Sequence, residues 1–123
     1  MDSGATDHIT RELEKLTARD KYNGGDQVHA ANGTGMEISN VGHSTLYFPN
    51  KELHLKNILH VPRSQKSLVS VTCFTKDNDV FLEFHPHYFS IKEQATKKTL
   101  HSGRCEKGLY PLRLSNNTSS QNK

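Results

Sequence analysis

A chain of 123 residues with 16 basic and 13 acidic side chains, formally +3, is long enough for one domain with a modest core and too short for two. Hydrophobic residues make up 33 % and the mean hydropathy is −0.75, which predicts a small core that leans on a partner subunit for burial. Basic residues are dispersed, against a nucleic-acid footprint; no apolar run suits a signal peptide or membrane span; and Cys73 and Cys105 lack Cys-x-x-Cys partners, so a cytosolic chain with reduced thiols is expected.

Ile9, Leu13 and Leu16 recur at helical spacing and predict a short surface helix within Thr10–Lys21, capped by Thr10. Gly24-Gly25 breaks it, and the rest of the chain reads as short strands. Val28 and Ala30 alternate toward Asn32-Gly33, a dipeptide that tolerates positive φ at both central positions of a tight hairpin, with Met36 and Ile38 on the return side. Gly42 interrupts before a strand at Thr45–Phe48, closed by Pro49-Asn50. Leu53, Leu55, Leu59 and Val61 share one parity and predict a half-buried strand that Pro62 stops.

Ser67–Phe74 is a compact apolar run too short to assign by periodicity, a buried strand or the start of a helix, and is read as strand then turn. Val80, Leu82 and Phe84, then Phe89 and Ile91 beyond His85-Pro86-His87, predict a hairpin. Leu100 and Leu109-Tyr110-Pro111-Leu112 supply the last apolar contacts, and residues 113–123 are a polar tail expected to be disordered. Strands at this spacing give an all-β fold, a barrel or sandwich.

The chemistry concentrates at Asp2-Ser3-Gly4-Ala5. Asp-Ser/Thr-Gly is the loop on which aspartic proteases present a carboxylate, where a water held between two carboxylates, one ionised and one protonated, attacks a peptide bond. One aspartate is insufficient, so a chain with a single such loop takes its second from another subunit. Gly4 would let two backbones approach at the two-fold axis, Ser3 would donate across it, and Ala5 is small for the same packing reason.

Five stretches occur in order: Asp2-Ser-Gly-Ala-Thr-Asp-His8-Ile-Thr10; Gly25-Asp-Gln-Val28 with Ala31-Asn-Gly33; Asn57-Ile-Leu-His-Val-Pro62; Ser67-Leu-Val-Ser-Val71; and Gly108-Leu-Tyr-Pro-Leu112. The set resembles the protease segment of copia-type retrotransposon Pol polyproteins, those of plants especially, over about residues 2–112. That resemblance implies a small closed or partly open β-barrel related to retropepsins over 1–112, and a homodimeric aspartic endopeptidase acting on its own polyprotein, without cofactor. It assigns Asp2, Ser3 and Gly4 to the catalytic loop, Ala31, Asn32 and Gly33 to the flap over substrate, and Leu68-Val69-Ser70 to the element behind the loop, with serine replacing the usual glycine. His8 matches a typical position without an assigned role. Met1 alone precedes the aspartate, so the strand expected to lead into the loop is missing, and a truncated, inactive β-barrel remnant is the alternative reading.

Eight histidines raise a metal site, but neither His85 with His87 nor His54 with His60 has zinc spacing, so none is expected. Lys97, Lys98, Arg104, Lys107 and Arg113 with Tyr110 cluster too thinly for nucleic-acid binding.

Overall fold

The computed structural model describes residues 1–2 and 4–112. Ser3 and the tail expected over 113–123 lie outside the described residues. Among those described, no helix is long and apolar enough to cross a membrane.

A long hairpin carries the fold. β5 (Asn40–Phe48) and β6 (Lys51–His60) pair antiparallel across the turn at Pro49 and Asn50. Pro49, with no N–H to give the ladder, ends β5. Alternation buries Ser44 and Leu46 on one strand and Leu53 and Leu55 on the other. The register then slips: Gly42 faces Ile58 while Ser44 faces Leu55, so β6 carries an extra residue. Asn57 absorbs it with φ of 55°, giving a β-bulge that turns Ile58 into the core. The single parity expected for Leu53, Leu55, Leu59 and Val61 therefore fails at Leu59, which is half-buried.

β6 takes β1 (Ile9–Thr10) in parallel on its free edge, and β5 takes β2 (Arg19–Lys21) antiparallel, for a sheet order β1-β6-β5-β2. The helix expected within Thr10–Lys21 is absent; a 3-10 turn at Leu13–Lys15 replaces it. A helix that short is marginal without support, whereas the β5 edge offers backbone partners at once: Thr17 N–H donates to His43 C=O at 2.8 Å and His43 N–H to Ala18 C=O at 3.1 Å. Leu16, with no exposed surface, enters the core between these strands.

β3 (Gln27–His29) and β4 (Gly35–Glu37) form a separate two-stranded sheet. Gly33 N–H donates to Ala30 C=O at 2.9 Å, and of this turn Gly33 alone takes positive φ, 89°. The loop is thus the three-residue hairpin type with one left-handed residue, rather than the two-residue turn expected at Asn32-Gly33.

Ser67–Phe74 is also corrected. Leu68 and Ser70 make isolated bridges, and then the chain enters α1 (Val71–Asn78) rather than a turn. Ser70 caps it, accepting Cys73 N–H at 3.3 Å on Oγ, and Asp79 ends it in the left-handed region at φ of 56°. The one α-helix among the described residues therefore lies mid-chain, not near the N-terminus. The hairpin expected around His85–His87 is present as β7 (Val80–Phe84) and β8 (Tyr88–Glu93), and β9 (Thr99–Arg104) completes a three-stranded sheet.

Leu46, Leu53 and Leu55 from the first sheet meet Phe89 and Ile91 from the second, with Phe74 of α1 filling between them. Lys51 and Glu93 pair across the two at 2.8 Å. The all-β class holds, but the sheets do not close into a barrel.

Candidate active site

Asp2 is held by its main chain. Its N–H donates to Val69 C=O at 2.9 Å and its C=O accepts Val71 N–H at 3.2 Å, a parallel bridge centred on Ser70. Its carboxylate turns back over the loop, Oδ1 accepting Gly4 N–H at 2.8 Å, an Asx-type turn that orients the side chain. A Cβ on Gly4 would stand 3.4 Å from that oxygen, ordinary contact.

The loop then returns along the same partner segment. Ser70 Oγ donates to Ala5 C=O at 2.8 Å, and Ile9 exchanges two backbone bonds with Leu68 at 2.9 and 2.8 Å. Asp2, Ala5 and Ile9 consequently all bond to residues within 68–71, and so grip that segment. On the other flank Leu59 N–H donates to His8 C=O at 2.9 Å, tying the loop to β6.

His8 sits inside this grip, 2 % exposed. Its Nδ1 accepts Ser70 N–H at 2.9 Å, and its Nε2 meets no hydrogen-bond partner among the described residues. Burial pushes its pKa below the usual imidazole value, against the opposing pull of the Asp77 and Asp7 carboxylates. The sequence marked His8 but gave no sign of its partner, because a contact across 62 positions has no local periodicity.

Asp2 is among the residues lining a cleft of about 940 Å³. Ile9, Leu55, Ile58, Leu68 and Val69 line it together with Phe84, Leu109, Tyr110 and Leu112. Tyr110 is itself held in place: its hydroxyl donates to His85 C=O at 3.0 Å, its ring meets Phe84 edge-on at 4.8 Å, and its C=O accepts from the Met1 nitrogen at 2.8 Å. The lining is mostly apolar, with Asp2 among its polar residues, the composition of a ligand cleft.

Of the residues singled out in the sequence, Asp2 and Gly4 are brought together with Ser70. Ala31, Asn32 and Gly33 sit exposed at the tip of the β3–β4 hairpin and do not line the cleft. The described residues hold no group of three or more His, Cys, Asp or Glu side chains arranged for a metal ion. His85 stacks on Tyr88 at 4.3 Å, and Lys97 reaches over the Phe81 ring at 5.2 Å.

A family profile described as Pol polyprotein, beta-barrel domain, matches residues 1–79. The retrovirus-related Pol polyprotein from transposon RE1 of Arabidopsis thaliana is 39 % identical over 110 residues, which is 89 % of this chain and 8 % of that protein. The corresponding polyprotein from transposon RE2 of the same plant is 36 % identical over 110 residues, with the same coverage. The chain thus spans about 8 % of the length of these relatives. No solved structure matches.

Proposed function

The chain belongs to the β-barrel domain family of copia-type retrotransposon Pol polyproteins, and from that membership we propose that it is half of an aspartic endopeptidase that processes the polyprotein. Two copies meet about a two-fold axis at the Asp2 loop, and the paired carboxylates, held roughly 3 Å apart, keep one proton between them. The ionised oxygen takes a proton from a shared water while the protonated one polarises the scissile carbonyl. Ser3 and Gly4 complete the loop at the axis. The β3–β4 hairpin, tipped by Ala31, Asn32 and Gly33, serves as the flap, its separate two-stranded sheet leaving it free to swing over bound peptide.

The observation that carries this reading is the fixation of Asp2 in the lining of a mostly apolar cleft, its main chain bonded to Val69 and Val71 and its carboxylate to Gly4. A catalytic carboxylate needs such support, because small misplacement costs orders of magnitude in rate.

The test is peptide cleavage by this chain and by a longer polyprotein stretch containing it, with sedimentation in parallel. Cleavage is expected on the acid side, with specific activity rising with protein concentration as dimers form. Asp2→Asn is expected to lose at least about 10²-fold in kcat without loss of fold. Monomeric behaviour without turnover in both lengths would leave a non-catalytic structural domain as the function.

A further inference from the structure

We propose that His8 is a positioning residue, one that keeps the Asp2 loop closed on residues 68–71 through a hydrogen bond that only its uncharged imidazole can accept. The consequence for activity rests on the endopeptidase reading above; the geometry does not.

Ser70 N–H is a backbone donor and cannot reverse its role, so His8 Nδ1, 2.9 Å away, must present a lone pair. That fixes the neutral tautomer with the proton on Nε2. A second proton would set N–H against N–H at that distance and break the contact. Ser70 is the hub of the grip, since Val69 and Val71 on either side of it hold the two main-chain groups of Asp2, and its own hydroxyl holds Ala5. Releasing Ser70 N–H in a residue with no exposed surface leaves a buried donor unsatisfied, which favours opening of the loop that carries Asp2.

The charged and titratable groups around the ring are mixed. Beside His8, a smaller cleft is lined by Asp7 of the same loop, Cys73, Lys76 and Asp77 of α1, and Lys56 of β6, while Asp2 shares the larger one. The carboxylates of Asp77 and Asp7 favour the proton, but burial outweighs them. The ring therefore stays uncharged through neutral pH and takes its proton below 6.5, as the loop loosens.

Nuclear magnetic resonance on the whole chain tests this without requiring turnover. Imidazole nitrogen shifts should show the Nε2–H tautomer at neutral pH, and the exchange of the Asp2 and Ser70 amides, taken relative to the intrinsic rate at each pH, should rise about tenfold or more as His8 titrates. His8→Asn, whose Oδ1 reaches the Nδ1 position, should keep exchange slow throughout and extend cleavage to lower pH. His8→Leu should speed exchange at every pH and lower kcat with little change in KM. Should His8→Leu fail to fold, the pH response of His8→Asn against the parent decides. His8 titrating at or above 6.5 with Ser70 exchange unchanged, or His8→Asn behaving like the parent at low pH, would overturn the proposal. A chain without turnover would remove the endopeptidase reading and leave the exchange results to judge His8.

Discussion

At the seam between β2 and β5, Gly42 shows how little room a single position leaves. A Cβ there would lie 2.7 Å from Ala18 C=O, 3.0 Å from Arg19 Cβ and 3.1 Å from Leu16 Cβ. The nearest of these is backbone, so the conflict cannot be relieved by a rotamer; β2 must move off β5, and Leu16 must leave its buried seat. Gly42→Ala is therefore expected to cost about 1–3 kcal/mol, read as a lower urea midpoint with unchanged slope. An unaltered midpoint would mean that β2 shifts freely and contributes little. The same scale separates what the sequence could and could not disclose. The Asp2–Gly4 turn was legible because Asp followed two residues on by a backbone N–H makes a local turn, whereas Ser70 reads as an ordinary serine until its N–H is found on His8 and its hydroxyl on Ala5.

Elements were legible where one face meets the core and the other meets water. The β7–β8 hairpin and the first half of β6 follow that rule, and period-2 alternation finds them. It failed where a tertiary partner changed the local rule: the Asn57 bulge reversed the parity of β6, and the β5 edge drew residues 17–21 away from helix. It failed again at α1, whose start is set by Ser70, a residue already committed to the Asp2 loop. The end of α1 is tied to the first sheet by one side chain. Asn78 Oδ1 accepts His54 N–H at 2.7 Å, while its Nδ2 donates to His54 C=O at 2.7 Å and to Phe74 C=O at 2.9 Å. The amide thereby acts as a short strand for the part of β6 that lies beyond β1. Asn78→Ala improves helix propensity yet removes all three bonds, and the predicted balance is a loss of about 1–3 kcal/mol. Amide exchange at His54 should accelerate more than at Leu46, whose position on β5 does not depend on α1; equal acceleration would mean global weakening instead.

The molecule as a whole is one core shared by two sheets, and this bears on where the family match ends. Residues 1–79 contain Leu46, Leu53, Leu55 and Phe74, but Val80, Phe89 and Ile91 bury against them, so the matched region and the strands after it stabilise each other. Its titrating groups follow the same division. His8 and His101 are both pushed down by burial, His101 between Phe48 and Phe89, and the half-buried Met1 amine is lowered likewise from 8.0. Glu93 is lowered chiefly by its hydrogen bond from Lys51, then by Thr96, and Glu83 chiefly by its bond from Lys92. For the bases, the unfolded chain binds protons at a higher pH than the folded one, so stability is full above the unfolded values and is lost as pH falls through the folded ones. The amine adds to this from about pH 8.0 and the histidines from about 6.5. For the carboxylates, the contribution is present above 4.5 and disappears below it, and it is small because both groups face water. Urea midpoints taken from pH 8 to pH 3 should therefore fall in an upper stage, which opens near 8.0 with the amine and continues from 6.5 with the histidines, and a lower one beginning near 4.5. Replacing both His8 and His101 by Asn should flatten the fall that starts at 6.5 and spare both the amine's part above it and the lower stage; a fall from 6.5 that survives both changes would assign it to other groups. On the endopeptidase proposed above, a proton-sharing carboxylate pair would favour acid while this core is weakened by it, so any peptide cleavage should peak on the acid flank where His8 is still uncharged.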